Sequence, residues 1–144
     1  GQSNYGAAKA GIAAFTLITA VELAKYGVTV SCLAPGAYTR MTAELPGFSG
    51  LDEEGQENFG PRWISVPTVW LCSEAAQNVT GRVFDVGGQK LGIAEQWRLG
   101  PTAVQPDDPA ELTEIMAQLM ADAQPNSGMD GKPVEGPGRP GKEI

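Results

Sequence analysis

A long helix with almost no polar face is the feature that most constrains this chain. From Tyr5 to Tyr26, the residues Ala8, Ile12, Phe15, Thr19, Leu23 and Tyr26 recur close to the helical period. Ala10, Ala13, Ala14, Leu17 and Val21 line the opposite side. A helix that is apolar on nearly every side is expected to be buried on nearly every side. One face needs a sheet, and the other needs a second cover such as another subunit. Small residues, among them Gly6, Ala7, Gly11 and Ala14, would let that cover approach closely. Ser3 or Asn4 is the expected cap, and Gly27 can end the helix in a left-handed conformation. Directly after Gly27, the run Val28-Thr29-Val30-Ser31-Cys32-Leu33 is short, β-branched and apolar, bounded by Ala34-Pro35-Gly36. That pattern predicts a buried strand of a parallel sheet. Helix followed by strand through a minimal link implies a layered α/β fold.

Further along, Thr39 to Leu45 is expected to form a short helix capped by Thr39. Pro46 to Pro61 is expected to be a loop, carrying the acids Asp52, Glu53, Glu54 and Glu57. It is either a solvated insertion or a lid over a site. A second helix is expected over Arg62 to Ala76, with Pro67 near its first turn, where proline is tolerated. Gly81 to Gly88 reads as a short strand closed by a Gly-Gly turn. Pro106-Asp107-Asp108-Pro109 can start a helix over Ala110 to Ala123. The Gly- and Pro-rich stretch from Gln124 to Ile144 is expected to be a flexible tail. The predicted organisation is therefore a compact unit over 1–100, a helical extension over 101–123 and a tail over 124–144.

The chain contains no histidine. A Ser-His-Asp triad, a Cys-His pair and an imidazole metal site are thereby excluded within it. Proton transfer falls to Tyr, Lys, Cys and the carboxylates. Two cysteines, Cys32 and Cys72, lie in apolar runs and are expected to be buried free thiols. They cannot close a zinc site, so no metal is expected. A net charge of -7 argues against nucleic-acid or anionic-membrane partners. No run of 18 uncharged apolar residues occurs, so no membrane span is expected. The first residues do not resemble a signal peptide, and a cytoplasmic location is expected.

Tyr5-Gly6-Ala7-Ala8-Lys9 is the motif that carries chemistry. Positions i and i+4 share one helix face, so the Lys9 ammonium falls near the Tyr5 phenol. A nearby cation favours phenolate over phenol, which makes a tyrosine usable as a general acid or base. Such pairs are common as plain helix-surface neighbours. Here the helix is otherwise apolar, and Lys9 is its only charge before Glu22. An ionised lysine on such a helix needs a partner or a cavity. Leu33 to Thr39 forms the second element. It is either an ordinary connection or a set of amides and a hydroxyl at the carboxyl end of a strand, where open α/β sheets bind ligands.

Taken together, Asn4-Tyr5-Gly6-Ala7-Ala8-Lys9-Ala10-Gly11, the strand ending in Ala34-Pro35-Gly36 and the later Thr80-Gly81-x-x-Phe84-x-Val86-Gly87-Gly88 resemble the short-chain dehydrogenase/reductases. The resemblance covers about residues 1 to 100. It implies the C-terminal part of a Rossmann-type doubly wound parallel sheet, with a helical and flexible C-terminal extension. It implies hydride transfer between NAD or NADP and a secondary alcohol or ketone. Tyr5 would exchange the proton with the substrate oxygen, and Lys9 would hold the nicotinamide ribose. Pro35, Gly36 and Ala37 would line the nicotinamide, and Thr39 would hold its carboxamide or the pyrophosphate. The Pro-to-Thr spacing is one residue shorter than the family's usual one.

Thr39-Arg40-Met41-Thr42, Trp70-Leu71-Cys72-Ser73-Glu74 and Trp97-Arg98-Leu99-Gly100 narrow the resemblance to one branch. That branch includes the (3R)-hydroxyacyl-CoA dehydrogenase part of peroxisomal multifunctional enzyme type 2 and its bacterial relatives, and it shares the shortened spacing. It implies an acyl-CoA or steroid-like substrate and a homodimer or homotetramer; Met41, Leu45 and Phe48 would either touch an acyl chain in the substrate pocket or simply pack the lid. The family's Gly-rich turn and catalytic Ser would precede Gly1, so the chain is expected to be a C-terminal part, inactive alone. The alternatives are a steroid or other alcohol dehydrogenase of the same family, or a non-catalytic dimerisation module.

Overall fold

The computed structural model describes residues 2–95 and 97–127. The chain divides into two compact units, Gly1–Glu95 and Gln96–Ile144. The first is an α/β layer that opens with α1 (Ser3–Leu23) and a short 3-10 turn over Ala24–Tyr26. Gly27 closes it at φ 71, the left-handed conformation expected of it. Its cap differs from expectation. Gln2 is the cap position, and Ser3 and Asn4 lie within the first turn. The Asn4 side chain still accepts the Tyr5 N–H at 2.8 Å.

Three strands follow in the order β1 (Ser31–Gly36), β2 (Arg82–Gly87) and β3 (Lys90–Ala94). β1 and β2 are parallel, with Ser31 opposite Arg82 and Gly36 opposite Gly87. β2 and β3 are antiparallel, with Val86 opposite Leu91. Two corrections arise here. The first strand begins and ends three residues later than its apolar run and includes Pro35, which faces Val86. The sheet is also mixed, because the chain folds back after Gly88-Gln89 into β3, which sequence reading did not anticipate. β1 pairs on one side only among the described residues, and an edge strand tolerates a proline.

α1 lies against β1 and β2. A Cβ placed on Gly81, itself at φ 66, would come within 3.6 Å of the Ala20 Cβ. The Val30 N–H reaches the Thr80 Oγ1 at 3.0 Å, and the Gly81 N–H reaches the Val30 carbonyl at 2.7 Å, fixing how the chain enters β1. The core is made of Ala20, Ala76, Val83, Phe84 and Val86, with Thr16 beside them. The expected all-round burial of α1 is not found. Thr16 and Ala20 are its buried residues, while Phe15 is 67% and Val21 79% exposed. A sheet contacts one stripe of a helix, and the remaining stripes of α1 face solvent in this chain. β1, expected as a buried strand, is exposed at Ala34 and Pro35 and half-buried elsewhere. By length and composition alone Ser3–Tyr26 could also cross a bilayer, since a single lysine in its first half leaves the average apolar.

The other face of the sheet carries α3 (Arg62–Leu71), which packs on β2 and β1. Pro67 is buried in the middle of this helix, not in its first turn, and a separate 3-10 turn covers Glu74–Ala76. The expected loop before α3 contains α2 (Glu53–Asn58), capped by the Asp52 carboxylate, which accepts the Gly55 N–H at 2.9 Å. Of its acids, Asp52 is thus a cap and Glu57 pairs with Arg62 at 3.0 Å on the surface. Residues 40–50 form successive turns in place of the expected helix over Thr39 to Leu45. Gly47 and Gly50, at φ 94 and 80, bend the chain there. Cys32 is half-buried and Cys72 exposed, both as free thiols; Cys72 lies at the end of α3 rather than in the core.

In the second unit a 3-10 turn over Pro109–Glu111 leads into α4 (Leu112–Asp122). Asp108 caps this start by accepting the Ala110 N–H at 2.9 Å. Of the expected tail over 124–144, residues 128–144 lie outside the described residues.

Candidate active site

The connectivity places the two sequence motifs at one end of the layer. From Tyr26 back to Tyr5 the helix climbs about 31 Å at about 1.5 Å per residue. From Val28 to Gly36 the extended chain returns about 26 Å at about 3.3 Å per residue. The first turn of α1 and the carboxyl end of β1 therefore share one edge of the fold.

At the helix end, the Lys9 Nζ sits 5.3 Å from the centre of the Tyr5 ring. This is the i,i+4 contact that the helix dictates, with only small side chains between. Tyr5 is 54% exposed. At the strand end, Gly36 and Gly87 stand side by side. A Cβ on Gly36 would meet the Gly87 Cα at 3.8 Å and the Val86 carbonyl at 3.9 Å. The ends of both strands thus present bare backbone. Pro35 and Gly36 are the last two residues of β1, and Ala37 and Tyr38 make the turn towards Thr39.

Thr39 is held by a residue that sequence reading missed. The Thr42 hydroxyl donates to the Ala37 carbonyl at 2.7 Å and accepts the Thr39 N–H at 2.8 Å. It also lies 3.0 Å from the Thr39 Oγ1. The proton of Thr42 is spent on the carbonyl, so Thr39 must be the donor in the contact between the two hydroxyls. Thr39 then presents only lone pairs outward, and it can accept from a ligand N–H or O–H. The Thr39-x-x-Thr42 spacing, a hydroxyl three residues on at the start of a turn, was the available signal.

The expected substrate-pocket residues separate. Phe48 packs edge-on between Tyr38 and Phe59, with ring centres 6.4 and 5.6 Å away. Leu45 is half-exposed, and Met41 is 92% exposed. The segment that carries them is closed like a loop with a pinned neck, because the Tyr38 N–H donates to the Phe59 carbonyl at 2.8 Å. A cavity of about 340 Å³ lies elsewhere, at the start of β2, lined by Trp70, Val79, Thr80, Arg82, Phe84 and Ile93 among others. None of the expected site residues lines it. Among the described residues no group of three or more Cys, Asp or Glu is placed to hold a metal ion.

A family profile described as enoyl-(acyl carrier protein) reductase matches residues 1–88. The chain is 36% identical over 130 residues to a hydroxyacyl-CoA dehydrogenase of Mycobacterium tuberculosis, covering 87% of this chain and 41% of that protein. It is 33% identical over 117 residues to a peroxisomal hydratase-dehydrogenase-epimerase of Neurospora crassa, covering 81% of this chain and 12% of that one. The crystal structure of a short chain dehydrogenase from Mycobacterium avium matches with a TM-score of 0.71 and 40% identity, over 94% of this chain and 41% of that one. The chain thus spans 41% or less of the length of these relatives.

Proposed function

The chain belongs to the short-chain dehydrogenase/reductase family, and from that premise we propose that it carries the acid/base half of an oxidoreductase acting on a secondary alcohol or ketone. The observation that carries the reading is the Lys9 ammonium set 5.3 Å from the Tyr5 ring at the open end of α1. On this reading residues 1–100 are the C-terminal half of a dinucleotide-binding domain, extended by 101–123 and 124–144.

The bare backbone at Gly36 and Gly87 is a cradle that a flat ring can approach without meeting a side chain, which fits a nicotinamide. When bound, NAD or NADP supplies the hydride acceptor or donor. In the oxidative direction Tyr5 takes the hydroxyl proton of the substrate. Tyr5 thereby passes from phenolate to neutral phenol; the Lys9 charge stabilises the phenolate that accepts the proton and binds hydroxyl groups of the ribose. Gly36 and Ala37 bound the ring, and the outward lone pairs of Thr39 accept from a carboxamide N–H. The names of the relatives favour a 3-hydroxyacyl-CoA substrate, and Met41 and Leu45, exposed on the neighbouring segment, offer it apolar surface. The exposed stripe of α1 supports a homodimer or homotetramer.

The test uses the intact protein with NAD or NADP and 3-hydroxyacyl-CoA thioesters, with free steroid alcohols compared alongside. Tyr5→Phe keeps the ring that Lys9 faces and removes only the oxygen. Its kcat should fall by about 10²–10⁴-fold while cofactor affinity is retained. Turnover equal to the parent would remove Tyr5 from the chemistry, and a preference for steroid alcohols would redirect the substrate assignment.

A further inference from the structure

The β2–β3 turn lies against the neck of the pinned segment over 38–59. Gly88 has φ +55, and a Cβ built on it would lie 2.8 Å from the Asn58 carbonyl oxygen and 3.2 Å from the Phe59 ring. The first of these contacts is with backbone, so no side-chain rotation relieves it. The next residue, Gln89, donates from Nε2 to the Asn58 Oδ1 at 3.1 Å. Phe59 in turn accepts the Tyr38 N–H at 2.8 Å, one residue before Thr39, and its ring packs against Phe48. A continuous set of contacts therefore runs from Gly88 through Asn58 and Phe59 to the turn that carries Thr39.

We infer that Gly88 is a positioning residue, which seats the neck of the 38–59 segment and thereby fixes where Thr39 and the apolar residues of that segment meet a ligand. This rests on the dehydrogenase reading above. The left-handed conformation alone does not explain the glycine, because asparagine also adopts it at small cost. What excludes every other residue at 88 is the approach of the Asn58 carbonyl. Gly27 is the matched contrast. It has φ +71, and a Cβ there would meet nothing within 4 Å.

The experiment compares Gly88→Asn with Gly27→Asn in the intact protein. Both pay the same small conformational cost, and only Gly88→Asn forces the neck to move. A neck shifted by about 1 Å should lower kcat/KM by about 10–100-fold, through KM for cofactor and substrate. Because Tyr5 and Lys9 lie on α1, kcat should stay near the parent value. Trypsin cleavage after the exposed Arg40 should accelerate in Gly88→Asn and not in Gly27→Asn. Should Gly88→Asn fail to fold, Gln89→Ala removes the 3.1 Å bond and should shift both readouts in the same direction, by less. If the position 88 and 27 variants behave alike in KM and in cleavage, the inference is overturned. If the parent protein has no dehydrogenase activity, the proposed function fails, and the cleavage rates still decide whether Gly88 seats the neck.

Discussion

Val86→Ala probes the packing beneath the proposed site. Val86 is the largest fully buried side chain, 2% exposed, on the strand flanked by β1 and β3, opposite Pro35 on one side and Leu91 on the other. Removing two carbon groups forfeits about 1.6 kcal/mol at about 0.8 kcal/mol each. A residual void of about 40 Å³ adds about 1 kcal/mol at about 24 cal/mol per Å³. The sum, about 2.5 kcal/mol, is about a 70-fold change in the folding equilibrium. Urea unfolding of the intact protein, followed by Trp63 and Trp70 fluorescence, should show the midpoint lowered by about 1–2 M at unchanged slope. Val104→Ala, at a position 89% exposed, should change stability by less than about 0.5 kcal/mol. A loss below about 1 kcal/mol at Val86 would refute the reasoning, since it would mean that β2 is not the packed centre of the layer.

Two further outcomes are expected. Phe15→Glu places a charge on the exposed apolar stripe of α1, so light scattering of the intact protein should report a smaller assembly; an unchanged mass at micromolar concentration would count against a subunit on that face. The Lys90 Nζ lies 2.8 Å from the Asp85 Oδ2 on the surface, and this hydrogen bond, with the Asp85 charge behind it, raises the Lys90 pKa above its usual 10.5. A raised lysine contributes stability below its unfolded value and loses it as pH rises through the folded one. The small advantage of the parent over Lys90→Met should therefore be present at neutral pH, shrink with added salt and vanish in strong alkali; a difference that grew above about pH 11 would refute the assignment.

The parts of this fold that were legible in the sequence are those set by local geometry. The i,i+4 spacing of Tyr5 and Lys9 needs only a helix to bring the groups together, and Gly27 needs only a left-handed turn. Features set by pairing across the sheet were not legible. Pro35 looks like the end of a strand because it lacks an N–H, yet the parallel ladder runs through it to Gly36. β3 has alternating Leu91 and Ile93, but Lys90 and Gly92 dilute the signal. The helix expected over Thr39 to Leu45 fails because Thr42 turns its hydroxyl back onto Ala37 and Thr39, which competes with helical bonding. Phe48 is apolar whether it lines a pocket or packs a lid, and only the fold shows it filling the space between Tyr38 and Phe59.

The one-sided pairing of β1 also affects how the chain handles as a molecule. Among the described residues its outer edge carries main-chain donors and acceptors that no neighbouring strand satisfies. Such an edge is a template for any other strand, including the same segment of another copy. The edge is short, and proline at position 35 withholds one donor, which blunts it without closing it. The chain should be prone to aggregate along this edge, so its solubility would serve as a gauge of whether another strand covers it.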